Sequence, residues 1–152
     1  MKKLLICMFA IATLGLVSCN KDDDKDSTPD YAADFIGNYI LSVNATMAIP
    51  VYGDVDLPVG DMEASVVRKG TGNEVTLTVM NQTLDGYCNE NGLHVDPFTV
   101  NTNLMSVSVA LTVTVPTVAA PVNNTVSGTA AIAATIMGYS ATGTAIFTGV
   151  KQ

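Results

Sequence analysis

From Gly37 onward, apolar and polar residues alternate with a period of two. Tyr39, Leu41, Val43, Ala45, Met47 and Ile49 share one face of an extended chain, and Ser42, Asn44 and Thr46 share the other. Val75, Leu77 and Val79 alternate with Thr76 and Thr78. The longest run sets Met105, Val107, Val109, Leu111, Val113 and Val115 against Ser106, Ser108, Thr112 and Thr114. Val126, Ala130, Ile132 and Ile136 stand opposite Ser127, Thr129 and Thr135, and a last strand covers Tyr139–Val150. Successive side chains of a strand point to opposite faces, so this pattern buries one face and wets the other, as antiparallel sheets do.

The turn residues fit the same division. Lys69-Gly70-Thr71-Gly72-Asn73 reads as a hairpin loop between Glu63–Arg68 and Glu74–Met80. Asn89-Glu90-Asn91-Gly92, Val122-Asn123-Asn124 and Met137-Gly138 read as further turns. At Pro97 the apolar phase slips by one residue between Leu93/Val95 and Phe98/Val100, which predicts a bulge or an edge. Before the strands, Thr28-Pro29 and Gly37 bracket a stretch that predicts a short N-terminal helix. The expected fold is all-β: a closed, up-and-down antiparallel barrel of about eight strands, with a β-sandwich as the alternative. Closure removes the exposed edges that would otherwise template aggregation in strands so rich in Val and Thr. Gly128, Ala130, Ala134, Ala141, Gly143 and Ala145 put small residues on one face of the last two strands. They either let a tight barrel close or leave room for a ligand, and tight closure is the expectation.

The N-terminus follows another pattern. Lys2 and Lys3 precede an apolar stretch from Leu4 to Val17, about 14 residues, where a membrane span takes about 20. Leu16-Val17-Ser18-Cys19 resembles a bacterial lipobox, which implies cleavage before Cys19 and lipidation of that residue. The predicted organisation is a signal peptide at 1–18, a lipidated acidic tether at 19–28 and a β-barrel domain at 29–152. Asn20 to Thr28 contains no large apolar side chain and cannot order itself by burial. An acidic run after a lipidated cysteine also resembles the surface-export signal of lipoproteins in Gram-negative gut anaerobes. The implied location is the outer membrane, lipid-anchored and exposed at the cell surface, with the periplasmic face as the alternative.

Charge narrows the partners. The chain carries seven basic and fourteen acidic residues, and loss of Lys2 and Lys3 makes the exported part still more acidic. Nucleic acid, which is gripped by Lys and Arg clusters, is not an expected partner. Attachment to membrane is expected through acyl chains alone. Of the three cysteines, Cys7 leaves with the signal, Cys19 takes lipid, and Cys88 remains without a disulfide partner.

No constellation points to catalysis. A nucleophilic Cys88 would need His94, the sole histidine, as its base. His94 and Asp96 share a strand face and read as solvent-facing polar residues. Asp54, Asp56, Asp61 and Glu63 crowd one acidic loop, Gly53–Glu63, without the spacing of a calcium-binding EF-hand. The chain is expected to be no enzyme, with no cofactor and no metal.

The short helix, Phe35-Ile36-Gly37-Asn38-Tyr39, the long first strand and the succession of hairpins resemble the calycin-like, lipocalin-like barrel lipoproteins. Lipocalins mark the start of their first strand with Gly-x-Trp; here Gly37-Asn38-Tyr39 holds that place with tyrosine for tryptophan. The chain departs from them in having no tryptophan and no late-strand arginine. The resemblance implies a barrel that holds a small hydrophobic ligand. Candidate lining residues are Leu41, Val43, Met47, Val107, Val109, Leu111, Ala130 and Ile132. The alternative function is a surface module that meets a protein or glycan through its outer face and loops. Oligomeric state is left open.

Overall fold

The structure, a computed structural model, describes residues 29–104 and 106–152. The expected signal peptide, the lipidation site Cys19 and the tether lie outside the described residues. Ten strands follow: β1 (Gly37–Ile49), β2 (Gly53–Leu57), β3 (Asp61–Arg68), β4 (Glu74–Val79), β5 (Gln82–Asn89), β6 (Gly92–Val95), β7 (Phe98–Leu104), β8 (Val107–Thr114), β9 (Thr125–Ile136) and β10 (Tyr139–Lys151). Nine of them form one antiparallel path, β6-β5-β4-β3-β1-β10-β9-β8-β7, which curls into a half-barrel; β2 pairs with β1 off this path. It is one continuous sheet, with every ladder antiparallel.

Three expectations are corrected. The short N-terminal helix is absent: residues 31–35 make only a turn, with the Phe35 and Ile36 amides both donating to Ala32 O at 3.0 and 3.2 Å. A single turn fixes several dihedrals for few hydrogen bonds, and Gly37 turns the chain into β1 before a second turn forms. The strand count rises from about eight to ten because β2 and β5 were not legible as strands. The acidic segment Gly53–Glu63 is not a loop but β2, a kink at Pro58–Gly60 and the start of β3.

That kink shapes the molecule. β2 pairs with Ala45–Ile49 and β3 with Gly37–Ser42, so both lie along the same edge of β1 and leave a gap between them. Pro58 has no N–H to donate, and the Val59 amide turns back to Leu57 O at 2.7 Å.

The predicted inner faces hold. Along β1, Tyr39, Ala45, Met47 and Ile49 are buried while Ser42, Asn44 and Thr46 are exposed. Their burial falls into two clusters at opposite ends of the curl. One gathers Met47, Ile49, Val109, Ile132, Ile136 and Ala141 with their neighbours; the other gathers Phe35, Tyr39, Val66, Val75, Cys88, Leu93 and Val118.

The second end is tied by polar contacts. Arg68 Nη2 donates to both carboxylate oxygens of Asp30 at 2.6 and 2.8 Å, and Nη1 donates to Gly72 O at 2.7 Å. Asn73 accepts from the Ala32 amide at 3.1 Å and donates to Pro29 O at 2.8 Å. The β3–β4 loop thus holds the N-terminal turn across the end of the curl, seating Ala32 and Phe35 in the core. The guanidinium beside Asp30 holds its carboxyl below the usual carboxylate range.

The two ends of the sheet path, β6 and β7, are consecutive in the chain and joined by Asp96 and Pro97. The phase slip at Pro97 therefore falls at the sheet edge. The Leu93 amide donates to Val118 O at 2.8 Å, and the Val118 amide donates to Leu93 O at 2.9 Å, tying β6 to the segment after β8. Gln82 on β5 donates to Thr99 O on β7 at 2.9 Å.

Candidate cavity between the two core clusters

The curl leaves a cavity of about 560 Å3 between its packed ends, partly open to solvent. This volume falls within the range of ligand pockets, roughly 300–1,000 Å3. Its wall comes from the inner faces of the strands, notably Leu41, Val43, Leu77, Leu84, Val95 and Phe98. The mouth is marked by those lining residues that are also exposed. Pro58, Val59, Gly60 and Asp61 come from the β2–β3 kink, Met80 from the β4–β5 turn and Asn101 from β7. The mouth therefore lies where β1 loses its neighbours between β2 and β3.

The inward alternation that builds the wall has one width problem: facing strands must not fill the space with bulk. Ala45, Ala64, Ala130 and Ala145 all line the cavity and keep it open. Tight closure holds only where glycines let elements approach. A Cβ on Gly143 would overlap the backbone of Thr46 and Met47, and one on Gly128 would meet the Phe147 ring at 2.6 Å. Phe147 lies across the β9–β10 ladder from Gly128 and covers it, so a large aromatic fills the place of the missing side chain. Of the six small residues of the last two strands, Ala130 and Ala145 line the cavity, Ala134, Ala141 and Gly143 lie at the Met47 end, and Gly128 sits under Phe147, which packs against the Tyr39 cluster.

Five of the eight candidate lining residues sit on the cavity wall: Leu41, Val43, Leu111, Ala130 and Ile132. Met47, Val107 and Val109 do not; Met47 and Val109 are buried in the packed end and Val107 packs against it. The strand pattern puts all eight on the inner face, but only their height along the curl separates wall from plug. Met62, Leu77, Leu84, Val95 and Phe98 line the cavity and were not singled out in the sequence. For Leu84, the signal was masked by Gly86 on the inner face and Tyr87 on the outer face of the same strand.

Gly37 opens β1, and the Lys151 side chain passes over it. Tyr39 is buried and its hydroxyl donates to Phe35 O at 2.8 Å, fixing the N-terminal turn to the first strand. Burial pushes the pKa of this hydroxyl up, and the Asp34 carboxylate adds to the shift.

The other candidate chemistry does not assemble. Cys88 and His94 lie on neighbouring strands, β5 and β6, but on opposite faces: Cys88 is buried within the core, whereas His94 stacks on the exposed Tyr87 ring at 4.5 Å. His94 Nε2 lies 3.2 Å from Asn89 Oδ1 and Nδ1 lies 3.1 Å from Thr117 Oγ1, so its ring nitrogens do not turn to Asp96. The carboxylates of Asp54, Asp56, Asp61 and Glu63 spread over the outer faces of β2 and β3, with Asp61 accepting from Ser42 at 2.6 Å. Among the described residues no three metal-ligating side chains come together.

Burial pushes the Cys88 thiol up to about 11. A thiol held protonated and enclosed is a poor nucleophile. With Cys7 and Cys19 replaced by serine, a disulfide reagent at pH 8 is expected to label Cys88 slowly in buffer and within seconds in denaturant. The same group makes stability fall at high pH. The unfolded thiol ionises around 9 while the folded one stays protonated to about 11, so the folded state loses ground between those values. Replacing Cys88 with serine should flatten that part of a urea-midpoint profile.

Comparison of the chain with family models, with curated proteins and with solved structures found no match.

Proposed function

We propose that this protein is a lipid-anchored envelope protein that binds a small hydrophobic molecule in its central cavity. The observation that carries the reading is the cavity itself: about 560 Å3, walled by aliphatic and aromatic side chains, between two packed clusters. Transfer of an apolar molecule into such a space is favoured by roughly 25 cal/mol per Å2 of apolar surface removed from water. The finer fold belongs to this proposal too. The Leu93–Val118 bridge ties β6 to the segment after β8 and the Gln82–Thr99 bond ties β5 to β7, which supports a closed, calycin-like barrel.

The outer faces support an aqueous setting. Ser127, Thr129 and Thr135 on β9 and Thr142, Thr144 and Thr148 on β10 point outward and are exposed. Barrels that cross a membrane have the opposite arrangement, apolar outside and polar within. Membrane attachment then falls to Cys19 and its acyl chains, with the domain held at the outer membrane and facing the cell exterior.

The test uses residues 19–152 with Cys19→Ser, which omits the acyl groups. Native mass spectrometry of protein taken gently from cell extract is expected to show an added mass that denaturation removes, and the emptied protein is expected to take up the neutral dye Nile red. Ala64→Trp, which projects an indole into the cavity, should abolish both while leaving the β-sheet circular dichroism unchanged. No added mass together with no dye uptake by the folded protein would sink the reading.

A further inference from the structure

Resting on that reading, the chemistry of the lining narrows the class of ligand. Among the described residues, no Lys, Arg or His side chain lines the cavity. The one charged lining residue among those described is Asp61, at the mouth, whose carboxylate is held toward the outer face by Ser42. An anion entering here would meet negative charge at the rim and nothing to neutralise it inside. Ligand carboxylates and phosphates are normally met by the fork of an arginine or by a lysine, and Arg68, the sole arginine, is committed to Asp30 and Gly72 at the closed end.

The interior does hold hydrogen-bonding groups. Tyr39 is used, its hydroxyl already donating to Phe35 O. Thr102 is different. Along β7 the buried Val100 and Leu104 point inward and the exposed Asn101 and Asn103 outward, so Thr102 shares the inner face. It is half-buried on the cavity wall, and its hydroxyl has no protein partner among the described residues. A hydroxyl both donates and accepts, so it matches an alcohol or a carbonyl equally well.

We infer that the cavity takes an uncharged amphiphile, with its hydrocarbon part against the aliphatic wall and one hydroxyl or carbonyl at Thr102, and that it discriminates against anionic lipids. The selectivity has two sources. The apolar wall gives every chain the same gain, and the absence of a cation leaves an ionised head with no compensation. Thr102 then adds orientation for a neutral head.

Titration calorimetry with decanol and decanoate at pH 8 tests this on residues 19–152 carrying Cys19→Ser. The two probes share a chain length and differ in head charge, since a carboxylic acid is fully ionised there. Decanol is expected to bind about tenfold or more tightly than decanoate. Thr102→Val, which keeps the shape of the side chain, should weaken decanol about fivefold, the worth of one hydrogen bond, and leave decanoate unchanged. Decanoate binding as tightly as decanol, or a Thr102→Val variant that weakens neither, would overturn the inference while leaving the cavity a binding site. Binding of neither probe by folded protein would overturn both the inference and the function on which it rests.

Discussion

Gly92→Ala is expected to destabilise the domain by about 3–5 kcal/mol. Two independent penalties meet at this residue. Its φ of +128° lies where side chains other than glycine are strained. A Cβ there would also overlap the Val118 carbonyl, with Ala119 Cα 3.2 Å away. That carbonyl accepts from the Leu93 amide, so the added methyl pushes apart the bridge that ties β6 to the segment after β8. Leu93 and Val118 are both core residues, and the damage should spread into the cluster around Tyr39 and Val75. Gly138→Ala separates the two penalties. Gly138 has φ +84°, yet nothing lies within 4 Å of the position its Cβ would take. It should cost only about 1 kcal/mol of conformational strain. Urea unfolding of the two variants side by side gives the steric part by difference, and equal midpoints would show that the close approach at Val118 is not there.

Met47→Ala is expected to cost about 3–4 kcal/mol, and Leu77→Ala about 1–2 kcal/mol, although both side chains point inward. Met47 is fully enclosed in the packed end, with Ile49, Ile132 and Ile136 in the same cluster. Removing its thioether opens a void that close-packed neighbours cannot collapse to fill. Leu77 is half-buried on the inner face of β4, its free surface turned to the cavity. Truncating it enlarges a space that already exists, so the loss is mostly that of the contacts it does make. A bound ligand would raise the Leu77→Ala cost toward that of Met47→Ala, because those contacts are then complete. Thermal unfolding of emptied protein decides the matter: equal costs there would mean that the middle of the curl is packed rather than hollow.

The sequence by itself determined the sheet. The period-two runs of β1, β8 and β9 placed their inner and outer residues as the structure has them, because a strand has only two faces and one of them must leave water. Turns at Asn123-Asn124 and Met137-Gly138 were equally legible; all four residues have positive φ, which Asn and Gly tolerate best. The Met80-Asn81 turn was not, since the apolar run of β4 continues straight into Met80 and no glycine follows it. Nor were β2 and β5 visible: β2 is short and acidic on its outer side, and β5 carries Gly86 inward and Tyr87 outward. The helix expected before Gly37 became a turn because the contacts that decide it, from Arg68 and Asn73, arrive from some forty residues away.

What only the tertiary structure decided is the height of each inward residue along the curl. Alternation tells that Leu41, Met47 and Val109 all face inward, and it cannot tell that Leu41 borders open space while Met47 and Val109 fill a plug. That distinction depends on which side chains arrive from the opposite wall, on the gap that Pro58 opens beside β1, and on alanines at four positions that keep the strands' bulk apart. Periodicity is a property of a single strand, whereas a cavity is a property of the distance between strands, and only the folded sheet sets that distance.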